Sequence, residues 1–265
     1  MMVSPSERMI VETDGAIGWM VFNNPERRNA ISQDMWEAIP LILDQFESDP
    51  HVRVIVLKGA GDKAFISGAD ISQFEQLRSS PETVKQYDAI GDRAQTRLGA
   101  AKKPTLAMIR GFCIGGGVGV ALSCDLRIAS EGARFGVPAA KLGLGYRWSG
   151  VKKLVDLVGP AYAKEIFYTA RQFSAAEALA MGLVNRVLPE AELEAYVRSY
   201  CAMIAENAPL TLEAIKGVVA ELAKPSPALD SKRCDELVAR CFASEDYVEG
   251  RRAFMEKRKP AFQGK

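Results

Sequence analysis

Two apolar runs in the first half of the chain are each followed by a glycine-containing turn and a helix-like stretch. The first is VRVIVLKGAG at 52–61, and the second is PTLAMIRG at 104–111, which leads into FCIGGGVGVALSCD. A third strand-like run, LRIAS, follows at 126–130. Strands that alternate with helices are typical of folds whose core strands pair in parallel. The sequence therefore predicts an α/β protein.

Other segments fit around that core. MIVETDGAIGWMVF predicts a hairpin that turns at Asp14 and Gly15, because an Asp-Gly pair accepts the positive φ of a tight turn. Ser32 is a candidate N-cap for a helix running to about Glu47. A longer helical region is predicted from about 71 to 101, with an interruption near Ser79, Ser80 and Pro81.

The pattern becomes almost entirely helical from Ser149 onward. Ser174 and Glu177 have the spacing of a capping box. The segment 190–206 has apolar residues at helical spacing on one face, namely Leu193, Val197, Cys201 and Ile204. No linker rich in Pro, Gly or Ser separates the two halves, so we expect one α/β core continuous with a helical C-terminal portion.

Composition excludes several classes of protein. The chain has 265 residues, 48% of them hydrophobic and 25% charged, with a formal net charge of +1. This charge gives no reason to expect a nucleic-acid partner. No apolar run approaches the roughly 20 residues of a membrane span, and the start MMVSPSERMIVET lacks the apolar region of a signal peptide. We therefore expect a cytoplasmic protein with no membrane partner.

Cysteine and histidine usage bears on metal sites and on nucleophilic catalysis. The five cysteines form no CxxC pair, which is typical of free thiols in a reducing compartment. The single histidine, His51, stands in the turn-like DPHV, and no partner spacing supports zinc or a Ser-His-Asp triad. We expect no metal site.

The glycine run at 115–119 needs a physical reason, because glycine loses much backbone entropy on folding. A dinucleotide fingerprint would need a third glycine where Val120 stands, and neither a P-loop nor a GxSxG elbow is present. Free N–H groups at a helix N-terminus can instead bind an oxyanion. A second donor is expected from the comparable turn in KAFISGADISQF. A tight turn with close helix packing is the alternative, and the run alone does not decide between them.

Longer stretches of the chain resemble the crotonase (enoyl-CoA hydratase/isomerase) superfamily. They are VIVLKGAGDKAFISGADI, KKPTLAMIRGFCIGGGVGVALSCDLRIAS, ARFGVPAAKLGL, AEALAMGLVNRVLP and EGRRAFMEKRKPAF, in family order from about Val11 to Phe262. The resemblance implies an α/β, crotonase-like spiral of ββα units with a helical C-terminal trimerisation region. It divides the chain into a core at 1–200 with an acyl-CoA site and an oligomerisation region at 201–265. It also implies a homotrimer or a dimer of trimers.

The resemblance further implies an acyl-CoA substrate whose thioester carbonyl binds two main-chain donors. By position these are the N–H groups of Ala69 and Gly116. No tightly bound cofactor is implied, since coenzyme A enters as part of the substrate. Further positions are carried over for coenzyme A, namely Arg28, Ala64, Phe65, Ile66, Phe254 and Lys257. For Lys257 a solvated basic tail is an equal alternative to a phosphate contact.

Two positions depart from the family's hydratases, in which two glutamates activate water and protonate the α-carbon. The first glutamate would stand at Gly119, and the second, after the proline of FGxPE, would stand at Ala139. Neither glycine nor alanine can transfer a proton. The resemblance therefore predicts an acyl-CoA enzyme of this family, but not a two-glutamate hydration. The alternatives are a decarboxylase, hydrolase or isomerase of a substituted, possibly carboxylated, acyl-CoA, and a non-catalytic acyl-CoA-binding protein.

Polar residues elsewhere are weaker candidates. Tyr146 and Arg147 fall where other relatives have a reactive aspartate, so Tyr146 is a candidate hydrogen-bond donor or acid and Arg147 a candidate carboxylate ligand. The alternative is that Arg147 pairs with a structural acid and that Tyr146 packs with Trp148 at a subunit interface. Asp70 and Asp125 are predicted to cap helices rather than to replace the missing acids. Glu75 is a distant candidate that could swing inward.

Overall fold

The computed structural model describes residues 3–70, 81–224 and 228–265, and these form two β-sheets flanked by helices. The six-stranded sheet contains, in spatial order, β1 (Met9–Asp14), β2 (Ile17–Phe22), β3 (Val54–Gly59), β5 (Thr105–Ile109), β7 (Leu126–Ser130) and β10 (Arg186–Leu188). The four-stranded sheet contains β4 (Ala64–Ile66), β6 (Phe112–Ile114), β8 (Arg134–Gly136) and β9 (Phe173–Ser174).

Nine α-helices lie within the described ranges. They are α1 (Gln33–Ser48), α2 (Pro81–Gly99), α3 (Gly116–Ser123), α4 (Trp148–Thr169), α5 (Ala175–Ala180), α6 (Leu193–Ala205), α7 (Pro209–Leu222), α8 (Ser231–Phe242) and α9 (Glu245–Glu256). Helix α4 is interrupted at Gly159, whose φ is 77°. Of the long helix predicted at 71–101, residues 71–80 lie outside the described part of the chain.

The repeating unit is two strands followed by a helix. Strands β3, β5 and β7 lie side by side in parallel in the first sheet, and β4, β6 and β8, which follow them in the chain, lie side by side in parallel in the second. The helices α2, α3 and α4 come next in the three repeats. The chain is therefore a spiral of ββα units, as in the crotonase fold. Because β4, β6 and β8 pair in parallel, the loops that leave them toward the following helices emerge at one edge of the second sheet.

The two faces of the six-stranded sheet are covered separately. On one face, alternate residues such as Trp19, Val56 and Met108 pack against Leu193 and Val197 of α6. On the other face, the intervening residues pack against α1 and the four-stranded sheet in a larger core. Burial on both faces explains why these strands are continuous apolar runs rather than alternating ones.

Most local predictions are confirmed. The hairpin pairs Asp14 with Ile17, and Gly15 has a φ of 57°. The capping box at the start of α5 is present, with the Glu177 N–H donating to the Ser174 hydroxyl. Ser32 occupies the N-cap position of α1 as predicted, but its side chain makes no hydrogen bond to the first turn of the helix. Its hydroxyl donates instead to Asp34.

The prediction that the chain is almost entirely helical after Ser149 is confirmed by helices α4 to α9, but it missed two short strands. Strand β9 pairs antiparallel with β8, and β10 pairs parallel with β7, so this half contributes a strand to each sheet. Both strands are short, at two and three residues, which is why no period appears in the sequence. The boundary predicted between 200 and 201 falls inside α6 and stays a prediction.

The C-terminal helices expose large apolar side chains. Examples are Ile215, Val219, Phe242 and Met255, each at least 60% exposed. The last residues fold back onto α9, where the buried carboxylate of Asp246 accepts hydrogen bonds from the amides of Gln263 and Gly264. Within the described ranges, every helix is too short or too polar to cross a bilayer.

Candidate active site

A cavity of about 270 Å³ lies between α2, α3, the start of α4 and the loop that follows β4. Ala69 and Gly116, the two predicted backbone donors, both line it. They reach it from consecutive ββα repeats. Parallel pairing of β4 with β6 explains this convergence, because the loops that follow parallel neighbouring strands emerge at the same edge.

The main chain around Ala69 is held by Ile31. The Ile31 N–H donates to the Gly68 carbonyl at 2.8 Å, and the Asp70 N–H donates to the Ile31 carbonyl at 2.9 Å. These bonds form a parallel bridge between Ile31 and Ala69. Peptide groups of an extended chain alternate in direction, so the Ala69 N–H points away from Ile31. Among the described residues it has no acceptor.

The Gly116 N–H stands at the N-terminus of α3, where no intrahelical acceptor exists. The preceding residue, Gly115, has a φ of 53° and donates its own N–H to the Gly136 carbonyl at 2.8 Å. This conformation favours glycine and turns the chain from β6 into the helix. Within the described part of the chain, the Gly116 N–H makes no hydrogen bond either.

The glycine run also serves close packing. A Cβ on Gly117 would lie 2.3 Å from the Ile66 carbonyl oxygen, a distance no side chain tolerates. A Cβ on Gly115 would lie 3.9 Å from Cα of Gly68. The close-packing interpretation of the run is therefore confirmed, and the oxyanion interpretation stays a prediction. Close packing brings the β4 loop against α3, and this approach sets the two unbonded amides in the wall of one cavity.

The other end of α3 is fixed by a buried arginine. The Arg127 guanidinium, 6% exposed, donates to the carbonyls of Ala121 at 3.2 Å, Cys124 at 2.6 Å and Leu183 at 2.9 Å. A cation at a helix C-terminus is favourable because it opposes the negative end of the helix dipole. Burial lowers the pKa of Arg127, although the neighbouring Cys124 and Asp125 oppose that shift. Arg127 thus holds the helix whose N-terminus faces the cavity.

The two positions that lack glutamate line the cavity. Gly119 lies one turn into α3, and Ala139 lies in the 3-10 helix Pro138–Leu142. The Gln95 carboxamide of α2 occupies the room beside Gly119, with its oxygen 3.1 Å and its nitrogen 3.2 Å from where a Cβ would stand. A carboxamide can orient a bound group but transfers no proton at neutral pH. Sequence reasoning missed Gln95, because no motif connects α2 to the glycine run.

Tyr146 and Arg147 also line the cavity. The Tyr146 ring packs edge-on against Phe167, with centroids 5.0 Å apart. The Arg147 guanidinium forms ion pairs with Asp88 and Asp92 of α2, each at 3.2 Å. Arg147 is thus engaged by two carboxylates of the protein, as in the structural alternative considered for it above. Trp148 is 77% exposed in the single chain, and its packing with Tyr146 at a subunit interface stays a prediction.

Two further cavity features were not predicted from the sequence. The Trp36 indole N–H donates to the buried Tyr87 hydroxyl at 3.3 Å, which makes one firm wall from α1 and α2. Lys153, on the second turn of α4, extends its ammonium to the Ser123 hydroxyl at 2.9 Å. Burial lowers the pKa of Lys153, with Asp92 and Cys124 acting in the opposite direction. Periodicity could have shown only that Lys153 shares a helix face with Ser149 and Gly150.

The positions predicted to contact coenzyme A divide into two groups. Arg28 lies beside the β4 loop, since its carbonyl accepts from the Ser67 N–H at 3.1 Å and its guanidinium stacks on Phe112. Ala64, Phe65 and Ile66 form β4 and are buried. Neighbouring Asn29 is also fully buried and fixes this strand by donating to the Ala64 carbonyl at 2.7 Å.

Phe254 and Lys257 lie elsewhere. Phe254 is 82% exposed on α9, and Lys257 is the exposed residue that ends this helix. Neither lines the cavity in the single chain. Their predicted contact with the nucleotide end of coenzyme A therefore stays a prediction.

The acidic candidates are placed as follows. Asp70 is 4% exposed and accepts from Arg27 at 2.9 Å. The helix-cap prediction for Asp125 is wrong, since this residue follows the end of α3. Its carboxylate accepts from the Thr105 N–H at 2.8 Å and from Lys216 at 2.8 Å, so it joins β5 to α7. Glu75 lies outside the described residues. No cluster of metal-ligating side chains occurs among the residues described.

The arrangement can do one kind of chemistry with the groups present. Two amides without acceptors, one at a helix N-terminus, can bind a carbonyl oxygen on which negative charge develops. Apolar residues such as Trp36, Ile114 and Val118 line part of the cavity, and hydrogen bonds are stronger where such side chains keep water away.

Comparison with known proteins shows which family the chain is similar to. The family model described as enoyl-CoA hydratase/isomerase matches residues 12–265. The short-chain-enoyl-CoA hydratase of Clostridium acetobutylicum is 33% identical over 260 residues, which are 95% of each chain. The (E)-benzylidenesuccinyl-CoA hydratase of Thauera aromatica is 34% identical over 257 residues, covering 96% of this chain and 98% of its own. The crystal structure of an enoyl-CoA hydratase/carnithine racemase from Magnetospirillum magneticum superposes with a TM-score of 0.94 at 35% identity, covering 98% of this chain and 97% of that one.

Proposed function

Because the chain belongs to the enoyl-CoA hydratase/isomerase family of acyl-CoA-processing enzymes, we propose that it stabilises a thioester enolate or oxyanion with the N–H groups of Ala69 and Gly116. The observation that carries this proposal is that both amides lack an acceptor among the described residues and line one cavity. Coenzyme A would enter as part of the substrate rather than as a bound cofactor.

The energetics favour a catalytic use of these amides. Ala69 and Gly116 are partly exposed, so water can hydrate both amides until a bound thioester oxygen replaces it. Removing one donor from an oxyanion site typically costs about 2.7–4 kcal/mol of transition-state stabilisation. The fixed positions of Gly115 and Ile31 mean that little reorganisation is needed when charge develops.

The reaction is inferred from what the cavity lacks and contains. Gly119 and Ala139 supply no acid for the hydration that the Clostridium acetobutylicum relative's name describes. We therefore infer a reaction on a substituted acyl-CoA, namely decarboxylation or isomerisation through an enolate, or hydrolysis through a tetrahedral oxyanion. The charged groups Asp92, Arg147 and Lys153 at the cavity favour a polar substituent. The name of the Thauera aromatica relative denotes a thioester with a second carboxyl group, which supports the same substrate type.

A non-catalytic acyl-CoA-binding protein is the second candidate, and the missing glutamates are the observation that favours it. Incubation with a panel of acyl-CoA thioesters, followed by mass spectrometry, separates the two. Consumption of one thioester supports an enzyme. Calorimetric binding without turnover across the panel supports a binding protein, and no binding of any thioester excludes both.

The oxyanion role is tested by removing one N–H without removing the helix. Gly116→Pro deletes the donor at the first helical position, where proline is tolerated. Gly116→Ala is the matched control, because its Cβ would meet Trp36 and Ile31 at 3.4 and 3.5 Å and the N–H stays.

The readout is the infrared stretch of a ¹³C-labelled thioester carbonyl bound to each protein. We expect the band to shift to lower frequency on binding to wild type and to Gly116→Ala, and less on binding to Gly116→Pro. Any turnover found in the panel should fall about 10²- to 10³-fold in the proline variant alone. An identical band in all three proteins would contradict the proposal.

The remaining expectations concern coenzyme A and assembly. We propose that Arg28 and the main chain of Ala64, Phe65 and Ile66 flank coenzyme A, and that Phe254 and Lys257 reach its nucleotide end within a homotrimer or a dimer of trimers. The exposed apolar residues of the C-terminal helices support a subunit interface. Light scattering coupled to size exclusion would give the subunit number, and a monomer would contradict the assembly.

A further inference from the structure

The cavity follows one face of α3 away from the two amides. Gly116, Gly119 and Leu122 are three residues apart along this helix, and all three line the cavity. The amide of Gly116 stands at one end. At the other end, beside Ser123, the cavity wall is completed by Lys153. The thioester site and the Lys153 ammonium are therefore at opposite ends of α3.

The Lys153 ammonium has hydrogen-bond donors that the described residues do not use. An ammonium has three N–H donors, and the described residues accept from Lys153 only at the Ser123 hydroxyl, which is neutral. No carboxylate in the described ranges lies within 4.0 Å of its nitrogen. A partly buried cation without an anionic partner is unfavourable unless a bound anion compensates it. Burial lowers the pKa of Lys153, and the more distant carboxylate of Asp92 opposes that shift without pairing with the ammonium.

The other cation at the cavity is not available in this way. Arg147 is held by Asp88 and Asp92, both within 3.2 Å. The Nε and one terminal nitrogen of Arg147 face these acids, so a substrate carboxylate there would lie beside two negative charges. Lys153 has no carboxylate within 4.0 Å among the described residues, so of the two cations the one on α4 is better placed to receive an anion.

We propose that Lys153 binds an acidic group at the far end of the acyl chain, so that the substrate is the coenzyme A half-thioester of a short dicarboxylic acid. This inference rests on the proposed function, because it takes the thioester end from Ala69 and Gly116. It adds the class of acyl chain and the residue that selects it.

The spacing sets the length of the acyl chain. Gly116 and Ser123 are seven residues apart, which corresponds to about 10 Å along the helix. Hydrogen bonds occupy part of this length, about 3 Å at the thioester end and up to about 3 Å at Lys153. About 4–7 Å therefore remains between the two oxygens of the substrate. With carbon–carbon bonds of about 1.5 Å, that distance fits a chain of about four to six carbons.

The test compares acyl chains that are matched in length. Calorimetry would measure the binding of succinyl-, glutaryl- and adipyl-CoA beside that of butyryl-, pentanoyl- and hexanoyl-CoA. We expect wild type to bind at least one dicarboxylic thioester about tenfold or more tightly than its neutral match, since a hydrogen bond to a charged group supplies that much. Lys153→Met should abolish this preference and change binding of the neutral thioesters less than about threefold.

Lys152→Met is the control, because Lys152 is on the same helix, pairs with Asp156 and does not line the cavity. It should keep the wild-type preference. Circular dichroism and thermal unfolding would check that the variants fold, and Lys153→Gln replaces Lys153→Met if the latter does not.

Two results would overturn the inference, namely no preference in wild type at any length, or an unchanged preference in the Lys153 variants. Binding of neutral thioesters alone would remove this inference and leave the proposed function. Binding of no thioester at all would remove the proposed function, and this inference with it.

Discussion

The Gln95 carboxamide lies against Gly119, with its oxygen 3.1 Å and its nitrogen 3.2 Å from the position of a Cβ on that glycine. One helix thus supplies a side chain where the neighbouring helix has none. The replacement changes the chemistry, because an amide can orient a ligand but cannot act as a general acid or base. The wall between α2 and α3 is consequently polar and inert to proton transfer at this point.

Restoring both carboxylates should create hydratase activity. Gly119→Glu with Ala139→Glu places an acid at each of the two positions, and general acid–base catalysis contributes about 10²- to 10⁴-fold. We expect hydration of crotonyl-CoA by the double variant to exceed that by wild type at least 10²-fold. Gln95→Ala can be added to make room, since the carboxamide is the flexible end of its side chain.

The matched control for this gain is Gly119→Gln with Ala139→Gln, which has the same size without a proton to transfer. Ultraviolet absorbance of the enoyl thioester measures both proteins. Equal rates in the two double variants, with thioester binding retained, would show that the missing carboxylates are not what limits hydration.

Alanine substitutions at two adjacent glycines of the run should change the free energy of unfolding by different amounts. Gly117→Ala forces a Cβ to within 2.3 Å of the Ile66 carbonyl, so the free energy of unfolding should fall by about 1–3 kcal/mol, as in other overpacked sites. Gly116→Ala meets only side chains at 3.4 Å or more and should change it by less than about 1 kcal/mol. Urea unfolding measures both, and equal losses would contradict the packing account.

Arg147→Ala should have a structural effect rather than a binding one. Its ion pairs with Asp88 and Asp92 are partly solvated, and such pairs are worth about 0–1 kcal/mol. We expect a small loss in the free energy of unfolding, and a smaller effect on dicarboxylic thioester binding than Lys153→Met has. Calorimetry on the two variants side by side decides this. If Arg147→Ala weakened binding more than Lys153→Met does, the anion site would have to be assigned to Arg147 instead.

The capping box of α5 should make stability depend on pH. The Ser174 N–H and hydroxyl, together with Arg171, lower the pKa of Glu177 from 4.5 to about 2. A carboxyl whose pKa is lowered by folding contributes stability above its unfolded pKa and loses it as pH falls. Glu177→Gln should therefore be less stable than wild type at pH 7, and the difference should shrink as pH falls from about 4.5 toward 2. Urea unfolding at a series of pH values measures it, and a constant difference would contradict the assignment.

The sequence by itself determined the local elements with strong signals. The Asp14-Gly15 hairpin, the buried parallel strands and the Ser174–Glu177 capping box are each dictated by neighbouring residues, through φ preference, apolar continuity or side-chain spacing. The resemblance identified the family and nominated Ala69 and Gly116. The sequence did not predict short strands such as β9, because two residues are too few to show an alternation of apolar and polar side chains.

The tertiary structure alone decided which side chains share the cavity. Gln95, Lys153 and the acids that hold Arg147 come from helices far apart in the chain, and nothing in their local sequence marks them. The reason is physical. The Gly116 amide is freed by the conformation of its own turn, which the adjacent Gly115 fixes, whereas the Ala69 amide is oriented by the distant Ile31. The neighbours of both amides are set by how helices pack, which depends on contacts such as that between Gly117 and Ile66 across separate repeats.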